Sequence, residues 1–194
     1  MSPNNPEGAR VLLRPIALED TPLIVKWRSL PSVYMNLYSR RPNLPSEHEA
    51  WMRGYVLTGK CAQFIIVEKE TQTPVGSVFI KNIDRSAQKG EYGIFIGEES
   101  ARGKGLGSEA ARLMLQYGFE ALGLHRIYLS VFAYNQAAIQ SYKRAGFRTE
   151  GVFRDDFLYD GRYEDIVWMA AIREEWERLT WETEQAQPDP CVPA

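Results

Sequence analysis

The hydrophobic and polar positions of this chain follow two periods, one typical of helices and one typical of strands. Between residues 106 and 124 an apolar or aromatic side chain recurs every three or four positions, which is the spacing of one helical face. These side chains are Leu106, Ala110, Leu113, Tyr117, Ala121 and Leu124. A β-rich run at residues 91–97 precedes them. The pattern therefore predicts a strand, a glycine-rich turn and a long helix, and the rest of the chain is organised around this segment.

Further short β-rich runs lie on both sides of the segment. The predicted strands are residues 11–13, 61–69, 75–83, 91–97, 125–132, 150–159 and 163–172. The second and third are joined by a polar turn and predict a hairpin, and the last two predict a hairpin across Asp160 and Gly161. The long helix joins the fourth strand to the fifth, so these two should be parallel. We expect an α/β fold (α+β layered) with a mixed, mostly antiparallel sheet of six or seven strands.

Two shorter helices are predicted near the beginning of the chain, and an aromatic segment separates them. The second helix should begin at Ser46, which forms a capping-box pattern with Glu49. The separating segment, residues 33–45, contains Tyr34, Met35, Tyr38, Arg40 and Arg41. It is too aromatic for a simple linker. It could wall a substrate pocket or pack over the sheet, and the sequence leaves both possibilities open.

Composition and charge narrow the class of protein. The chain has 194 residues, enough for one domain with tails, and its formal net charge of −2 gives no argument for nucleic acid or an anionic membrane as a partner. No apolar run is long enough to span a membrane, and the first residues lack a signal-peptide pattern. Cys61 and Cys191 suggest neither a disulfide framework nor a metal cluster. We expect a cytoplasmic protein without a metal cofactor.

The turn before the long helix has the chemistry of a diphosphate socket. It consists of Arg102, Gly103, Lys104, Gly105, Leu106 and Gly107. Glycines let the backbone approach a ligand closely, the first amides of a helix have no partner within the helix, and the two cations add positive charge. The spacing is neither that of a P-loop nor that of a dinucleotide fingerprint. The alternative is that the glycines only make the bend.

A second motif lies at residues 135–147. Asn135 is a good helix N-cap and Gly146 a good C-cap, and Tyr142, Gly146 and Phe147 form Y-x-x-x-G-F. Together with R-x-x-G-x-G in the turn, and in the same order, this resembles the GNAT superfamily of N-acyltransferases. Within this superfamily, residues 26–28, 34–38 and 45–51 most resemble two groups, the amino-sugar (pseudaminic-acid pathway) acetyltransferases and the polyamine and ribosomal-protein N-terminal acetyltransferases. The resemblance covers residues 10–175 and implies a sheet with helices on both faces, acetyl-CoA as co-substrate and a small-molecule amine as acceptor.

The resemblance also implies roles for individual residues. The acetyl-pantetheine arm would lie between the strands that begin at Glu91 and at His125, and would bond to the backbone of Phe95, Ile96 and Gly97. The diphosphate would bind the amides of the turn. Asn135 would hold the pantetheine arm, and Tyr142 would protonate the departing thiolate. For Tyr142 the alternative is a core tyrosine on an amphipathic helix, and for Asn135 it is helix capping alone.

The base that deprotonates the amine is left open between three candidates. Glu91 begins the cofactor strand, where similar enzymes often keep an acid. His48 titrates near neutrality and lies in the substrate-side helical region. A bound water is the third candidate, and either side chain could instead be simply solvated.

The acceptor is the least determined part of the prediction. Arg40 and Arg41 could meet a nucleotide diphosphate, which favours an amino sugar on a nucleotide carrier, whereas a polyamine site should gather carboxylates. The nearby carboxylates, Glu47, Glu49, Asp155 and Asp156, do not form an obvious cluster. A protein N-terminus and a catalytically silent acyl-CoA-binding module remain alternatives. We expect residues 1–9 to be a flexible leader, residues 176–194 a helical end with a disordered tail, and a homodimer to be possible.

Overall fold

Seven strands form one sheet in the computed structural model, which describes the backbone of residues 5–185 and the side chains of residues 5–179. The strands are β1 (Val11–Pro15), β2 (Ala62–Glu68), β3 (Thr73–Asp84), β4 (Lys89–Ile96), β5 (Arg126–Phe132), β6 (Arg148–Tyr159) and β7 (Arg162–Ile172). Their order is β1-β2-β3-β4-β5-β7-β6. All neighbours are antiparallel except β4 and β5. The mixed, mostly antiparallel sheet and both predicted hairpins are confirmed.

Six α-helices accompany the sheet within the described residues. They are α1 (Thr21–Arg28), α2 (Pro31–Tyr34), α3 (Pro45–Trp51), α4 (Leu106–Glu120), α5 (Gln136–Ala145) and α6 (Arg173–Gln185). Helix α3 begins one residue before Ser46, so the predicted capping box is wrong. Its first turn is instead closed by Glu47, whose carboxylate accepts a hydrogen bond from the Leu44 amide at 3.0 Å.

The sheet separates two hydrophobic clusters, so helices cover both faces. The larger cluster joins the sheet to α4 and α5 and contains Leu106, Ala110 and Leu113 of the predicted helical stripe. The smaller joins it to α1 and the turn after α3 and contains Trp27 and Met52, both almost completely buried. Since α4 lies under the sheet beside α5, more of its surface is buried than the stripe predicts, including Met114 and Leu115.

The two ends of the described chain extend the domain. Pro6 accepts a hydrogen bond from the Leu13 amide at 2.9 Å, and Gly8 donates one to Val11 at 2.8 Å, so residues 6–8 of the expected leader fold back along β1. At the other end α6 continues to Gln185. Residues 1–4 and 186–194, which include Cys191 and most of the expected tail, lie outside the described residues. Over the described part of the chain, no helix is long and apolar enough to span a membrane.

The feature of the sheet that positions the site is the separation of β4 from β5. The two strands pair over Lys89↔Arg126, Gly90↔Ile127 and Glu91↔Tyr128, and then diverge. Beyond that point β4 remains paired with β3, and β5 remains paired with β7. A gap therefore opens in the middle of the sheet, and it begins at Glu91.

Candidate active site

A cavity of about 760 Å³ occupies the gap between β4 and β5. Its walls come from residues 91–96 of β4, residues 129–131 of β5, the loop before α4 and one face of α5. Ten of the residues singled out from the sequence line it. They are Glu91, Phe95, Ile96, Arg102, Gly103, Lys104, Gly105, Gly107, Asn135 and Tyr142. Gly97, Leu106 and His48 are not among the lining residues.

The glycine-rich loop contains consecutive amide N–H groups that have no backbone acceptor in the described part of the chain. Gly103 and Gly105 have φ of 73° and 82°, a left-handed conformation that favours glycine. Among the described residues, none of the amides of residues 103–108 donates a hydrogen bond to another backbone group. Several of them are the first amides of α4, where the helix dipole favours a bound anion. The Leu106 side chain, by contrast, is buried in the core, so only its backbone could contact a ligand.

The two cations of the loop have different surroundings. Arg102 donates from Nε and Nη2 to the Ile96 carbonyl at 3.1 and 2.9 Å, and from Nη2 to Ser32 Oγ at 3.2 Å, so its side chain fastens the loop to the end of β4. Lys104 makes no ion pair with any residue in the described part of the chain, and it lines the cavity. The Lys104 carbonyl accepts from Arg10 Nη1 at 2.9 Å, which supports the loop from β1.

The free edge of β4 is not where the sequence analysis placed it. The Gly97 amide donates to Val75 at 2.9 Å, towards β3. Because backbone groups alternate in direction along a strand, Phe95 also faces β3, and only Ile94 and Ile96 direct theirs to the gap. A Cβ on Gly97 would lie 2.0 Å from Trp27, so this glycine makes room for a buried tryptophan. Of the predicted residues Phe95, Ile96 and Gly97, Ile96 alone has backbone groups that face the gap. The sequence does not show which residues of β4 face β3, so Ile94, which also faces the gap, was not singled out.

Helix α5 brings the second motif to the same cavity. Asn135 caps it, since its Oδ1 accepts from the Ala138 amide at 3.2 Å, and Gly146 ends it with φ of 112°; both predicted caps are confirmed. The Tyr142 ring makes edge contacts with Tyr92 and Phe147. Burial raises the pKa of Tyr142 to about 12. The hydroxyl is protonated at neutral pH, as in an ordinary tyrosine, and it can donate a hydrogen bond or a proton.

Comparisons with known proteins agree with this geometry. A profile of the family described as "Acetyltransferase (GNAT) domain" matches residues 10–148. This chain belongs to the GNAT acetyltransferase family. It is an acetyl-CoA-dependent N-acetyltransferase, and acetyl-CoA is its co-substrate.

Individual relatives share about a third of their aligned residues with this chain. The chain is 30% identical over 170 residues to the uncharacterized N-acetyltransferase p20 of Bacillus licheniformis, an alignment that covers 86% of this chain and 95% of that protein. It is 34% identical over 101 residues to spermidine N(1)-acetyltransferase of Escherichia coli strain K12, covering 52% of this chain and 54% of that protein. That second alignment thus spans about half of each protein.

A solved structure shows the same fold. Spermidine N-acetyltransferase from Vibrio cholerae, in complex with CoA and spermine, superposes with a TM-score of 0.81 at 23% identity, covering 88% of this chain and 99% of that one. At this identity the likeness concerns the fold alone.

The residues of this GNAT domain fit the co-substrate that the family uses. The unpaired amides and Lys104 match a diphosphate. The backbone groups of Ile94 and the amide of Ile96 match a pantetheine arm, whereas the Ile96 carbonyl already accepts from Arg102. The arm would run along the gap towards Tyr142 and Glu91. Asn135 has its Nδ2 donating to Asn36 Oδ1 at 3.1 Å, so a bond to the arm would require it to share or exchange that partner.

Glu91 lies where the cavity meets the last β4–β5 pair. Its Oε2 accepts from Asn82 Nδ2 at 2.9 Å, and its Oε1 lies 2.9 Å from Lys81 Nζ. The side chain is 21% exposed and lines the cavity, as does Lys81. A carboxylate held in this way can accept a proton from a group in the cavity. Lys81 was not singled out from the sequence, where nothing distinguishes it from the other lysines.

The structure does not bring His48 into the cavity. Its side chain is 2% exposed, with Nδ1 hydrogen-bonded to Thr21 Oγ1 at 2.9 Å and with Nε2 lacking a hydrogen-bond partner in the described part of the chain. Burial lowers the pKa of this histidine, and the positive charge of Arg28 lowers it further. The imidazole is thus a buried neutral group that joins α3 to α1.

The aromatic segment before α3 both lines the cavity and packs over the sheet, the two alternatives that the sequence left open. Asn36, Leu37 and Tyr38 line the cavity, and Tyr38 also packs on Phe132 of β5 and donates to Ser130 Oγ at 2.8 Å. Ser130 is a cavity residue that the sequence analysis missed, because it resembles any polar residue on an alternating strand. The segment therefore forms a wall across the end of the gap.

The two arginines of this segment are not free to meet a nucleotide diphosphate, as the sequence analysis suggested. The Arg40 side chain is 4% exposed and lies among aromatic rings. Arg41 is exposed but makes a bidentate ion pair with Glu47, at 2.6 and 3.1 Å. Neither residue lines the cavity. That expectation is corrected, because the segment folds its first arginine inward and pairs the second outside.

Proposed function

We propose that this enzyme acetylates a primary amine of a small cationic molecule of the polyamine type, with the amine entering the cavity at Glu91 and Tyr38. The observation that carries the proposal is the carboxylate of Glu91 at the point where β4 and β5 separate. It lies in the same cavity as Tyr142 and the row of unpaired amides.

The chemistry assigns one proton transfer to each end of the reaction. An ammonium acceptor gives one proton to Glu91, directly or through a water molecule, and becomes nucleophilic. The amine attacks the thioester carbonyl, and the tetrahedral intermediate breaks its C–S bond. Tyr142 gives its proton to the CoA thiolate and recovers one from the nitrogen through solvent. The products are the N-acetylated amine, CoA and one released proton.

The acceptor end of the cavity carries the carboxylate of Glu91, which could hold a cationic amine. Burial raises the pKa of Tyr38, and the negative charges of Asp156 and Glu91 raise it further, against the effect of its hydrogen bond to Ser130. Of these two carboxylates, Glu91 lines the cavity and Asp156 does not. Lys81 neutralises part of the charge of Glu91, and Arg40 is enclosed by rings rather than directed into the cavity.

The sequence analysis favoured an amino sugar on a nucleotide carrier instead. That preference rested on the resemblance, on Arg40 and Arg41, and on the lack of an obvious carboxylate cluster; neither arginine is available to a diphosphate. Relatives named spermidine N(1)-acetyltransferase support the polyamine alternative, although their alignments cover 52–57% of this chain and 54–64% of those proteins. The experiment below therefore includes an amino sugar as the competing acceptor.

The test is a panel of amines incubated with acetyl-CoA and the purified enzyme, with products identified by mass spectrometry and CoA release measured in parallel. Spermidine and spermine represent polyamines, a nucleotide-linked amino sugar represents the competing class, and a peptide with a free N-terminus represents protein substrates. We expect kcat/KM to be highest for the polyamines. Preference for the amino sugar or the peptide would contradict the proposal, and no turnover with any amine would favour a silent acyl-CoA-binding module.

The role of Glu91 is tested with a matched pair of variants. Glu91→Gln should lower kcat with spermidine, since the amide cannot accept the proton. Glu98→Gln is the control, because Glu98 follows the same strand and is ion-paired with Lys26, but does not line the cavity. Equal activity of the two variants would remove Glu91 from the mechanism and leave the proton to water.

A further inference from the structure

A buried arginine stands behind the acceptor wall. We call residues 35–40 the strap, because they cross from α2 over the end of the gap. Arg40 ends the strap with φ of 38°, a left-handed conformation that is uncommon for a residue with a side chain. Its guanidinium is 4% exposed, and its Nε has no hydrogen-bond partner among the described residues. Burying a charged guanidinium costs free energy unless other groups stabilise it, so the contacts of Arg40 must offset that cost.

Four aromatic rings enclose the Arg40 guanidinium. Its central carbon lies 4.5 Å from the ring centre of Phe132, 4.6 Å from Tyr159, 5.1 Å from Phe157 and 5.9 Å from Tyr134. These distances are within the range of cation–π attraction, which is stronger when the cation is removed from water. The rings belong to β5, to β6 and to the turn before α5, so one side chain joins three separate elements. The carboxylate of Glu164 adds a charge partner at 3.8 Å.

A hydrogen-bond relay continues from this cage into the strap. Arg40 Nη2 donates to the Tyr134 hydroxyl at 3.1 Å, and that hydroxyl donates to the Met35 carbonyl at 2.7 Å. The arginine at one end of the strap is therefore connected to the residue at its other end. Between these anchors, Asn36 and Tyr38 are held by Asn135 and Ser130. The strap is thus held at one end by Arg40 and at the other by Tyr134, whose hydroxyl also accepts from Arg40.

We propose that Arg40 is a positioning residue for the amine site: it holds the strap against β5 and β6 and so sets the affinity for the acceptor. The inference rests on the proposed function, in which the amine enters beside Tyr38 and Glu91. The diphosphate loop belongs to α4 and is fastened by Arg10 and Arg102 instead. Loss of Arg40 should therefore weaken amine binding much more than acetyl-CoA binding, because the strap meets the proposed pantetheine site through the Asn36–Asn135 hydrogen bond and the diphosphate loop is fastened separately.

The test compares three variants with the wild type. Arg40→Met keeps an unbranched apolar side chain among the rings but removes the charge and the hydrogen bond to Tyr134. Arg40→Lys keeps the charge and loses the planar fork. Arg41→Ala is the matched control, since Arg41 is the adjacent arginine, is exposed, and contacts Glu47 and the Pro42 carbonyl rather than the rings of the cage. Steady-state kinetics use spermidine and acetyl-CoA, each varied at saturating concentration of the other.

We expect Arg40→Met to raise KM for spermidine about tenfold or more, equivalent to about 1.4 kcal/mol, with KM for acetyl-CoA within about twofold of wild type. Arg40→Lys should recover part of the loss, and Arg41→Ala should match the wild type. Equal changes in both KM values, or unchanged KM for spermidine, would overturn the proposal. If Arg40→Met does not fold, Arg40→Lys alone carries the same comparison.

A second measurement does not depend on turnover. Hydrogen exchange should be faster at the strap amides in Arg40→Met than in wild type or Arg41→Ala, while exchange in α4 stays the same. Unchanged exchange in the strap would refute the anchoring role. If the wild type acetylates no amine of the panel, the proposed function fails, but the exchange result still decides whether Arg40 holds the strap.

Discussion

The substitution Gly103→Ala adds one methyl group at the proposed diphosphate socket. Gly103 has φ of 73°, and a Cβ built on it meets no heavy atom within 4 Å. The added group therefore causes no clash in the folded protein. The remaining cost is the strain of a residue with a side chain in the left-handed conformation, about 1–2 kcal/mol.

The effect on acetyl-CoA binding should be larger than the effect on folding. The same open space that accommodates the methyl group is the space through which a phosphate must approach the unpaired amides. A hydrogen bond to a charged group contributes about 1.5–3 kcal/mol. Loss of one such bond, at about 1.4 kcal/mol per tenfold, predicts an affinity for acetyl-CoA about 10- to 150-fold lower.

Gly123→Ala provides the matched control. Gly123 has φ of 69°, and a methyl group added there would meet no heavy atom within 4 Å. It follows the opposite end of α4 and does not line the cavity. Both variants should therefore lose about the same free energy of unfolding. For a chain of this size, each kcal/mol lowers Tm by about 2–4 °C, so we expect both to melt about 2–8 °C below the wild type.

The measurement is calorimetric titration of each variant with acetyl-CoA, together with thermal unfolding in its absence. We expect similar Tm values for Gly103→Ala and Gly123→Ala and a Kd that is raised only for Gly103→Ala. If both variants bind acetyl-CoA with the same Kd, the loop is not the diphosphate socket, and its glycines only make the bend.

Two further predictions concern the titratable residues singled out from the sequence. Tyr142→Phe should lower kcat by about 10²-fold, the lower end of the range for general acids, while KM for acetyl-CoA stays nearly constant; a variant with wild-type kcat would make Tyr142 a packing residue. For His48, burial lowers the pKa in the folded state below the value of about 6.5 expected in the unfolded state. The unfolded state then binds more protons below about pH 6.5, so stability should decrease as the pH falls through that value. Urea unfolding at several pH values should show a flatter dependence for His48→Gln, and an unchanged slope would contradict the assignment.

The parts of this fold that the sequence predicts are those with a short-range cause. The helical period of α4 and the caps of α5 are properties of fewer than twenty consecutive residues, and both were confirmed. The glycine-rich turn between β4 and α4 was predicted for the same reason, and Gly103 and Gly105 take positive φ there. Elements that follow from local geometry could therefore be derived before the structure.

The errors arose where a residue's environment depends on distant parts of the chain. Gly97 was interpreted as a cofactor contact, but its lack of a side chain accommodates Trp27, seventy residues earlier. Arg40 was a candidate to meet a nucleotide diphosphate, but rings from β5, β6 and the turn before α5 enclose it. His48 was considered a base because of its ordinary pKa, and the contact with Thr21 that accompanies its burial is invisible in the sequence.

The acetyl-CoA side of the cavity is built from local sequence motifs, whereas the acceptor side depends on contacts between distant parts of the chain. The groups proposed to hold acetyl-CoA and to protonate the thiolate lie on β4, α4 and α5, in two continuous segments with recognisable spacing. The acceptor wall is assembled from the strap, β5 and the residues behind them, and no short motif specifies it. Because Arg40 fixes the strap without touching α4, changes in the cage should alter amine selection while the acetyl-CoA side is maintained. We therefore expect the choice of amine to be encoded in the strap and its supporting rings.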